Sequence, residues 1–526
     1  TAAAGATDSA GLIRSRRLER QVRGVELLST REKLMAGLPN FATYFGRDMM
    51  MTALMMQPVW APAMSEHVIA SVLRKIGPGG AVSHEEALGG QAIREHAVVY
   101  DSLVGGYLQA ARSDRRPAAD SLLRRAREVL GRLQATRENY HMIDDEHQLP
   151  VLAARYLADS AVTTERTRRF LLDTAGGGGS RLSRLLRGMA LVAAQTRRYA
   201  EEPRATNLVG FPRRDSVHWR SASWRDSDAG YAGGRFAMDV NAIWAPHALE
   251  AIATIVATLS KIGLGQGALD SILPKTAAGP IDRYLRDTLA LRRAIGTWRG
   301  ARRHFEVTLQ PGQIRERLRV RLSRMPEEER AYWGKVLADT GEPRDAFAFL
   351  ALALDADGKP IPVVNTDPAT GLFLQSLTAG APGGSSPADA VLRDVAPFVR
   401  PFPVALFVDG LGPLVANDAY ASPETWQRFA KDPYHGPRVV WGREVNLLFL
   451  GLANHIAAGL DPSLDDALRR TLAAVHASGL EHNELWSYRI EDRRLLPTRY
   501  GTSSDIQLWN GTNLAVQFVL SRLRRE

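Results

Sequence analysis

Helical spacing dominates the chain. Apolar residues recur at three-to-four intervals from Leu122 to Leu133, Leu182 to Ala194, Val240 to Leu259 and Val445 to Leu460. That is the signature of helices with one buried stripe. Polar residues at Ser65 and Asp239 stand where helix starts are expected. Breaks rich in glycine and proline, such as Gly77-Pro78-Gly79-Gly80 and Gly176 to Gly179, separate the helical stretches. The pattern predicts about ten to twelve long helices. One stretch departs from it. From Arg303 to Leu322 apolar and polar residues alternate, first in His304-Phe305-Glu306-Val307-Thr308-Leu309 and again in Leu318-Arg319-Val320-Arg321-Leu322, which predicts a strand pair. Ala353 to Val364, turning at Asp355-Ala356-Asp357-Gly358, extends it. The expectation is one all-α dominated domain over residues 1–526, with a β-containing insertion at approximately 300–365. Antiparallel helix pairs carrying long loops on one face would suit an (α/α)6 toroid.

Composition narrows the class. An apolar share of 45% and a charged share of 24% are ordinary for a globular protein. The most apolar run, Ile252 to Leu264, is interrupted by Thr254, Thr258, Ser260 and Lys261. It falls short of the roughly 18–20 residues a bilayer needs and predicts a buried helix, with no membrane partner. The chain has no cysteine, which excludes disulfides, thiolate metal sites and cysteine nucleophiles. It starts Thr1-Ala2-Ala3-Ala4, as a mature end left by signal cleavage would, which favours a periplasmic or secreted location. The net charge is +10 with only seven lysines, so arginine carries it. A GC-rich coding sequence gives this bias, and so does a basic surface for an anionic partner. Arg14-Ser15-Arg16-Arg17 and Arg115-Arg116 read as solvated helix faces, and no nucleic-acid module is present, so nucleic acid is not expected. The clusters Gly176 to Ser180 and Gly263 to Gly267 lack the ending and the context of phosphate loops.

Polar segments rich in aromatic residues carry the candidate chemistry. Asp226 lies in Trp224-Arg225-Asp226-Ser227, and Glu484 in Asn483-Glu484-Leu485-Trp486. Glycosidic cleavage needs two facing carboxyl groups, one acid and one base. Aromatic neighbours offer flat surfaces to a sugar ring, and partial burial can keep one carboxyl protonated. Arg47-Asp48, behind Tyr44 and Phe45, pairs a donor fork with two acceptors, which suits vicinal hydroxyls. His84-Glu85-Glu86 follows a glycine-rich loop, and Tyr140 to His147 concentrates acids and histidines. A metal there is conceivable, but His-Glu-x-x-His spacing is absent and no second acidic motif matches Asp144-Asp145, so neither metal nor cofactor is expected. Asp239 and Asn241 open a long helix, where a ligand contact and a plain N-cap are equally open readings. Tyr434-His435-Gly436 runs on to Trp441-Gly442-Arg443-Glu444, and Ser504-Asp505 to Gln507-Leu508-Trp509-Asn510 closes the series.

Taken together these segments resemble an (α/α)6-barrel glycoside hydrolase of the glycogen-debranching (amylo-α-1,6-glucosidase), glucoamylase-like clan. Phe45-Gly46-Arg47-Asp48 resembles the segment that grips the terminal sugar, and His84-Glu85 the loop after the second helix. Asp145 with Leu149 resembles the acidic segment before a helix, and Trp224-Arg225-Asp226-Ser227 the segment of the general acid. Asp239 to Trp244 is similar to a Glu-Val-Asn-Ala-Leu-Trp helix, with Asp in place of Glu. Tyr434-His435-Gly436 through Trp441 is similar to Tyr-His-x-Gly-x-x-Trp at altered spacing. Asn483-Glu484-Leu485 resembles the general-base segment, and Gln507-Leu508-Trp509 the Gln-Ala-Trp after it. Arg303 to Asn417 has no counterpart.

The resemblance implies inverting hydrolysis of an oligosaccharide or polysaccharide, with an α-linked glucoside favoured. Asp226 would be the acid and Glu484 the base, with their carboxyl groups roughly 6.5–9.5 Å apart. Tyr44, Trp224, Trp441 and Trp509 would form walls. Arg47, Asp48, Glu85, Asp145, Arg225, Asp239, Asn241, Tyr434, His435 and Gln507 would complete the sugar site. A phosphorolytic enzyme, a glycan-binding protein without chemistry and a polyanion-binding protein are the alternatives.

Overall fold

The computed structural model describes residues 9–39, 41–227, 229–265, 279–341, 343–375, 386–432, 434–501 and 506–523. Thr1 to Ala4, Gln266, Gly267, Ser504 and Asp505 lie outside them. The protein is helix-dominated. Twelve helices organise the site: α1 (Ser9–Leu28), α2 (Gly46–Met56), α3 (Pro62–Arg74), α4 (Ile143–Leu157), α5 (Arg181–Glu201), α6 (Ala245–Lys261), α7 (Thr288–Arg299), α8 (Pro368–Leu374), α9 (Pro387–Val399), α10 (Gly442–Ala457), α11 (Ser463–Ala477) and α12 (Asn513–Leu523).

These helices fall into two kinds, and the sequence says why. Every residue of α2 is buried, and nearly all of α4 and α10 are. A helix apolar on most sides must be covered on most sides. The five methionines of α2 all lie in this core, filling it without a fixed shape. α5, α9 and α11 instead bury one stripe and show charge on the other face. Packing follows from this difference. α2 touches α4, α4 touches α6, and a π-helical turn before α6 (Asp239–Trp244) touches α8. α8 packs on α10, and α10 on α12 and the short helix Leu508–Gly511, which in turn meets α2. Over these lie α3 on α2 and α4, α5 on α4 and α6, α7 on α6, α9 on α8, α11 on α10, and α1 on Leu508–Gly511 and α12.

Helices α8 and α10 approach each other closely. A Cβ on Gly451 would sit 2.9 Å from the carbonyl carbon and Cβ of Leu372. Main chain cannot step aside as a side chain can, so Gly451→Ala should cost about 1–3 kcal/mol by overpacking. The check is the urea midpoint, which should fall with an unchanged denaturant slope.

Several sequence expectations change. The helix expected at Ser65 starts at Pro62, since proline suits the first turn, where its missing N–H is no loss. Asp239–Lys261 is continuous over 23 residues, long and apolar enough by length and composition to cross a membrane, and only Ile252–Lys261 of the Ile252–Leu264 run belongs to it. It is largely buried against α4, α5 and α7. The strand pair expected within 303–322 is half right. Glu306–Leu309 is a strand, but its antiparallel partner is Phe347–Leu350. Pro311–Ser323 is a helix, opened by a Gln310/Gln313 capping box and burying Ile314 and Leu318. Those two apolar residues are four apart, so the helical period wins over the apparent alternation. The Asp355–Gly358 turn does join a hairpin, Ala353–Leu354 with Pro360–Ile361, but it pairs with Phe236–Ala237 beside the π-helical turn.

Two small sheets finish the frame. β1 (Ser83–Ala87) pairs with β2 (Arg137–His141), bracketing a helical hairpin, Gly89–Arg112 with Arg116–Gly131. β3 (Val439–Trp441), β4 (Leu485–Glu491) and β5 (Arg494–Arg499) form an antiparallel sheet in which Trp441 lies opposite Leu485.

Candidate active site

First turns of several helices lie close together. Arg47 and Asp48 are in the first turn of α2, and Asp144 and Asp145 in that of α4. Asp239 opens the π-helical turn, Asp367 precedes α8, and Arg443 and Glu444 start α10. Gln507 and Trp509 sit at the start of Leu508–Gly511. Free N–H groups and the positive end of each helix dipole make this a favourable place for carboxylates.

A cavity of about 120 Å³ opens among these turns. Both Asp226 and Glu484 line it, with Arg47, Asp48, His84, Trp224, Trp441, Arg443, Gln507 and Trp509. It is smaller than cavities of about 280 and 380 Å³ elsewhere, so its claim rests on chemistry rather than size. Residues 258 apart in sequence are thereby brought to one wall-to-wall space (484 minus 226).

Each of the two carboxyl groups has its own support. Glu484 directly precedes β4, and its carbonyl accepts the Gly442 N–H at 2.9 Å, next to Trp441 on β3. Burial pushes its carboxyl up to about 7, and the nearby Asp48 carboxylate adds to the rise, against a hydrogen bond from Gln507. Asp226 differs. Its side chain is 45% exposed and faces Arg47 at 3.5 Å. The loop that carries it is pinned by its neighbours. The Ser221 hydroxyl donates to the Arg225 carbonyl at 2.6 Å, and the Ile143 N–H donates to the Ala222 carbonyl at 2.8 Å.

Beneath the cavity lies a buried charge network. Arg47 donates through two nitrogens to Asp144, one at 3.0 Å. Burial works against its charge, but Asp144 prevails and holds the guanidinium firmly protonated. His84 Nδ1 lies 2.7 Å from Asp145. Burial would strip the proton from His84, and Asp145 restores it, leaving the imidazole above its ordinary value. Asp48 is raised to about 7 by burial, in spite of His84, Arg47 and Arg443. Gly46 keeps this floor tight, since a Cβ there would lie 2.7 Å from Asp145 Oδ1.

The aromatic wall is held as firmly. Trp224 packs edge-on against Trp441, with ring centroids 5.6 Å apart. Its indole N–H donates to Asp367 at 3.1 Å, and the Arg225 guanidinium donates to the same oxygen at 2.9 and 3.1 Å. The Arg443 guanidinium lies over both Trp224 and Trp509, at 5.0 and 5.2 Å. His435 stacks on Trp441 at 5.7 Å and an 11° tilt. Asp432 holds His435 Nδ1 at 3.0 Å and accepts the Ser227 hydroxyl, one residue after Asp226.

Of the sixteen residues expected at the site, eight line the cavity: Arg47, Asp48, Trp224, Asp226, Trp441, Glu484, Gln507 and Trp509. The others stand behind or beside it. Tyr44 is fully buried under Lys75 and forms no wall. Asp145 and Arg225 support His84 and Asp367 from below. Asp239 accepts from Ser223 and Tyr231, and Asn241 bonds the Val209 backbone in both directions, so neither offers groups to a ligand. Glu85 is half-buried on β1, next to Tyr140. Tyr434 lies at the rim, 42% exposed, with its carbonyl accepting the Trp441 indole N–H. His435 reaches the cavity through the rings of Trp441 and Trp224, the latter edge-on at 5.7 Å.

His84 and Arg443 line the cavity without having been given a role from sequence, though both lie in the segments singled out there. Asp144 and Asp367 were missed as supports. Asp367 had a readable signal, because Asp-Pro before an apolar run marks a helix start. No His, Asp and Glu group capable of holding a metal occurs among the described residues.

No protein-family model matches this chain, and no curated protein matches it.

Proposed function

We propose that the chain is a glycoside hydrolase built as an (α/α)6 toroid, similar to the glycogen-debranching and glucoamylase-like clan. The observation that carries the reading is that Asp226 and Glu484 line one cavity walled by Trp224, Trp441 and Trp509. Support for the toroid comes from the packing. Six inner elements touch in succession and return to the first, and six outer helices cover them.

In the proposed reaction Asp226 protonates the glycosidic oxygen as that oxygen leaves the anomeric carbon. Glu484 takes a proton from the water that attacks the opposite face. Charge building on the sugar ring in the transition state faces Asp48 and the oriented carboxylates around it. Arg47 and Arg443 supply donors to hydroxyls, and the tryptophans supply apolar faces.

One observation favours a second reading with the two roles exchanged. In the free protein burial holds the proton on Glu484, the behaviour of a general acid. The direction in which activity changes with pH separates the two assignments. The first test is a screen of α-linked gluco-oligosaccharides and plant and bacterial glycans, with product anomers read by NMR, with and without phosphate. The expected result is turnover with inverted configuration, independent of phosphate and lost in Asp226→Asn. A retained anomer would overturn the mechanism, phosphate dependence would make it a phosphorylase, and silence on every glycan would leave a binding protein.

A further inference from the structure

A second cavity, of about 380 Å³, is lined in part by Asp432, Gly436, Pro437 and Arg438. Asp432 and the stretch from Tyr434 to Arg438 stand between the two cavities. Asp432 lines the second cavity, while its partners Ser227 and His435 lead to Asp226 and Trp441 of the first. The walls come from the helix Pro311–Ser323 and the residues after it, from β3 and β4, and from Tyr500.

Charge decides what this space can take. Three arginines line it (Arg321, Arg324, Arg438) and so do three acids (Glu329, Asp418, Asp432), so their formal charges cancel. Most are already fixed in pairs. Arg321 meets Asp418 through two nitrogens at 2.8 and 3.2 Å, and Arg438 meets Glu329 at 2.8 Å. A charged ligand would gain nothing net and, apart from Arg324 at the edge, would have to break these pairs. A neutral ligand bearing many hydroxyls would use them as they stand, since each pair still offers N–H donors and carboxylate lone pairs in a fixed fork. The Arg324 side chain has no ion-pair or hydrogen-bond partner among the described residues and is exposed at the edge. An aromatic surface is present too. The Arg321 guanidinium lies over half-buried Trp426 at 5.1 Å, while Tyr488, under Arg438 at 5.5 Å, is itself buried. At the rim Tyr500 meets Tyr434 edge-on at 5.8 Å.

The geometry points to a second carbohydrate site here: a pocket for a neutral, hydroxyl-rich sugar, either a further unit of the glycan held in the first cavity or a free monosaccharide. It rests on the hydrolase reading only for the source of that sugar.

The test follows the Trp426 indole N–H by NMR, assigned with Trp426→Phe, during titration of the full chain with maltotetraose, with D-glucose and with inorganic phosphate. The expected result is a saturable shift with sugar and none with phosphate. Glu484→Gln should leave it intact, and Arg438→Ala, at a half-exposed residue, should weaken it about tenfold, as loss of one good contact does. Tighter response to maltotetraose assigns the site to an extended glycan, and equal response assigns it to a monosaccharide. An unmoved Trp426 signal, an equal response to phosphate, or an unchanged affinity in Arg438→Ala would overturn the proposal. The two readings fail separately. A catalytically silent protein whose Trp426 still responds to sugar loses the hydrolase reading alone, and an active one with a silent Trp426 loses only the second site.

Discussion

The pH dependence of kcat/KM, followed from about pH 5 to about pH 9 on any glycan that is turned over, is expected to rise with a midpoint near 7. This profile reports ionisation in the free enzyme. A base must be ionised to act, and burial holds Glu484 at about 7, so the active fraction grows as pH passes that value. Glu484→Gln should lower kcat by about 10²–10⁴ and remove the limb. Asp48→Asn removes a like charge near Glu484 and should move the limb to lower pH. If activity instead falls through 7, Glu484 is the acid and Asp226 the base.

The same burial has a thermodynamic sign. Glu484 ordinarily titrates at 4.5 and Asp48 at 3.8, and both are raised to about 7 in the folded protein. Asp239 is raised to about 7 and Glu146 to about 8, both chiefly by burial. Above its ordinary value each group ionises freely in the unfolded chain while the folded protein retains the proton. Stability is therefore lost as pH rises from about 4 towards 8. Glu484→Gln should recover up to roughly 3 kcal/mol of this at pH 8, so thermal melts should show an inactive protein more stable than its parent. A lower melting temperature for the variant at that pH would contradict the account of burial given for Glu484.

Asp367→Ala is expected to be the most damaging single change to the fold around the site. Asp367 and Arg225 are 1% and 0% exposed, and the pair is their mutual compensation. Removing one partner leaves a buried charge unopposed, which costs about 3–5 kcal/mol. It also strips the Trp224 indole of its acceptor, so the cavity wall should loosen. The urea midpoint should fall sharply, and Trp224 emission should shift to the red before global unfolding. Arg225→Met combined with Asp367→Ala should recover much of the loss, because the pair as a whole stabilises far less than either half destabilises alone. A double variant no better than the single one would show that Asp367 acts through Trp224 instead of through charge.

How much of this was legible beforehand follows from how each signal arises. The buried helices announced themselves because apolar residues on most sides have one physical solution, as in Met49 to Met56 and Val445 to Leu460. The segment Leu318 to Leu322 misled because arginines between apolar residues suit a strand face and a solvated helix equally. Only the capping residues at Gln310 and Gln313 and the four-residue spacing to Ile314 separate them. Asp226, Glu484, Trp224, Trp441 and Trp509 could be chosen from sequence because acid and tryptophan in polar segments are rare together. Asp239 and Asn241 could not be told from ligand contacts, because a polar residue at a helix start looks alike whether it faces a cavity or bonds its neighbours. Asp144 and Asp367 were invisible as supports, since ion-pair partners 97 and 142 residues away leave no trace in local composition.

The convergence of helix starts carries one last implication. Oriented peptide dipoles do not depend on side-chain identity, and they give the cavity a standing positive potential that its carboxylates ordinarily offset. With Asp226 and Glu484 both amidated, only Asp48 among the lining carboxylates still offsets it, while the backbone stays as it was. The disarmed pocket becomes an anion trap, drawing formate or azide to the very spots that the carboxylates once filled.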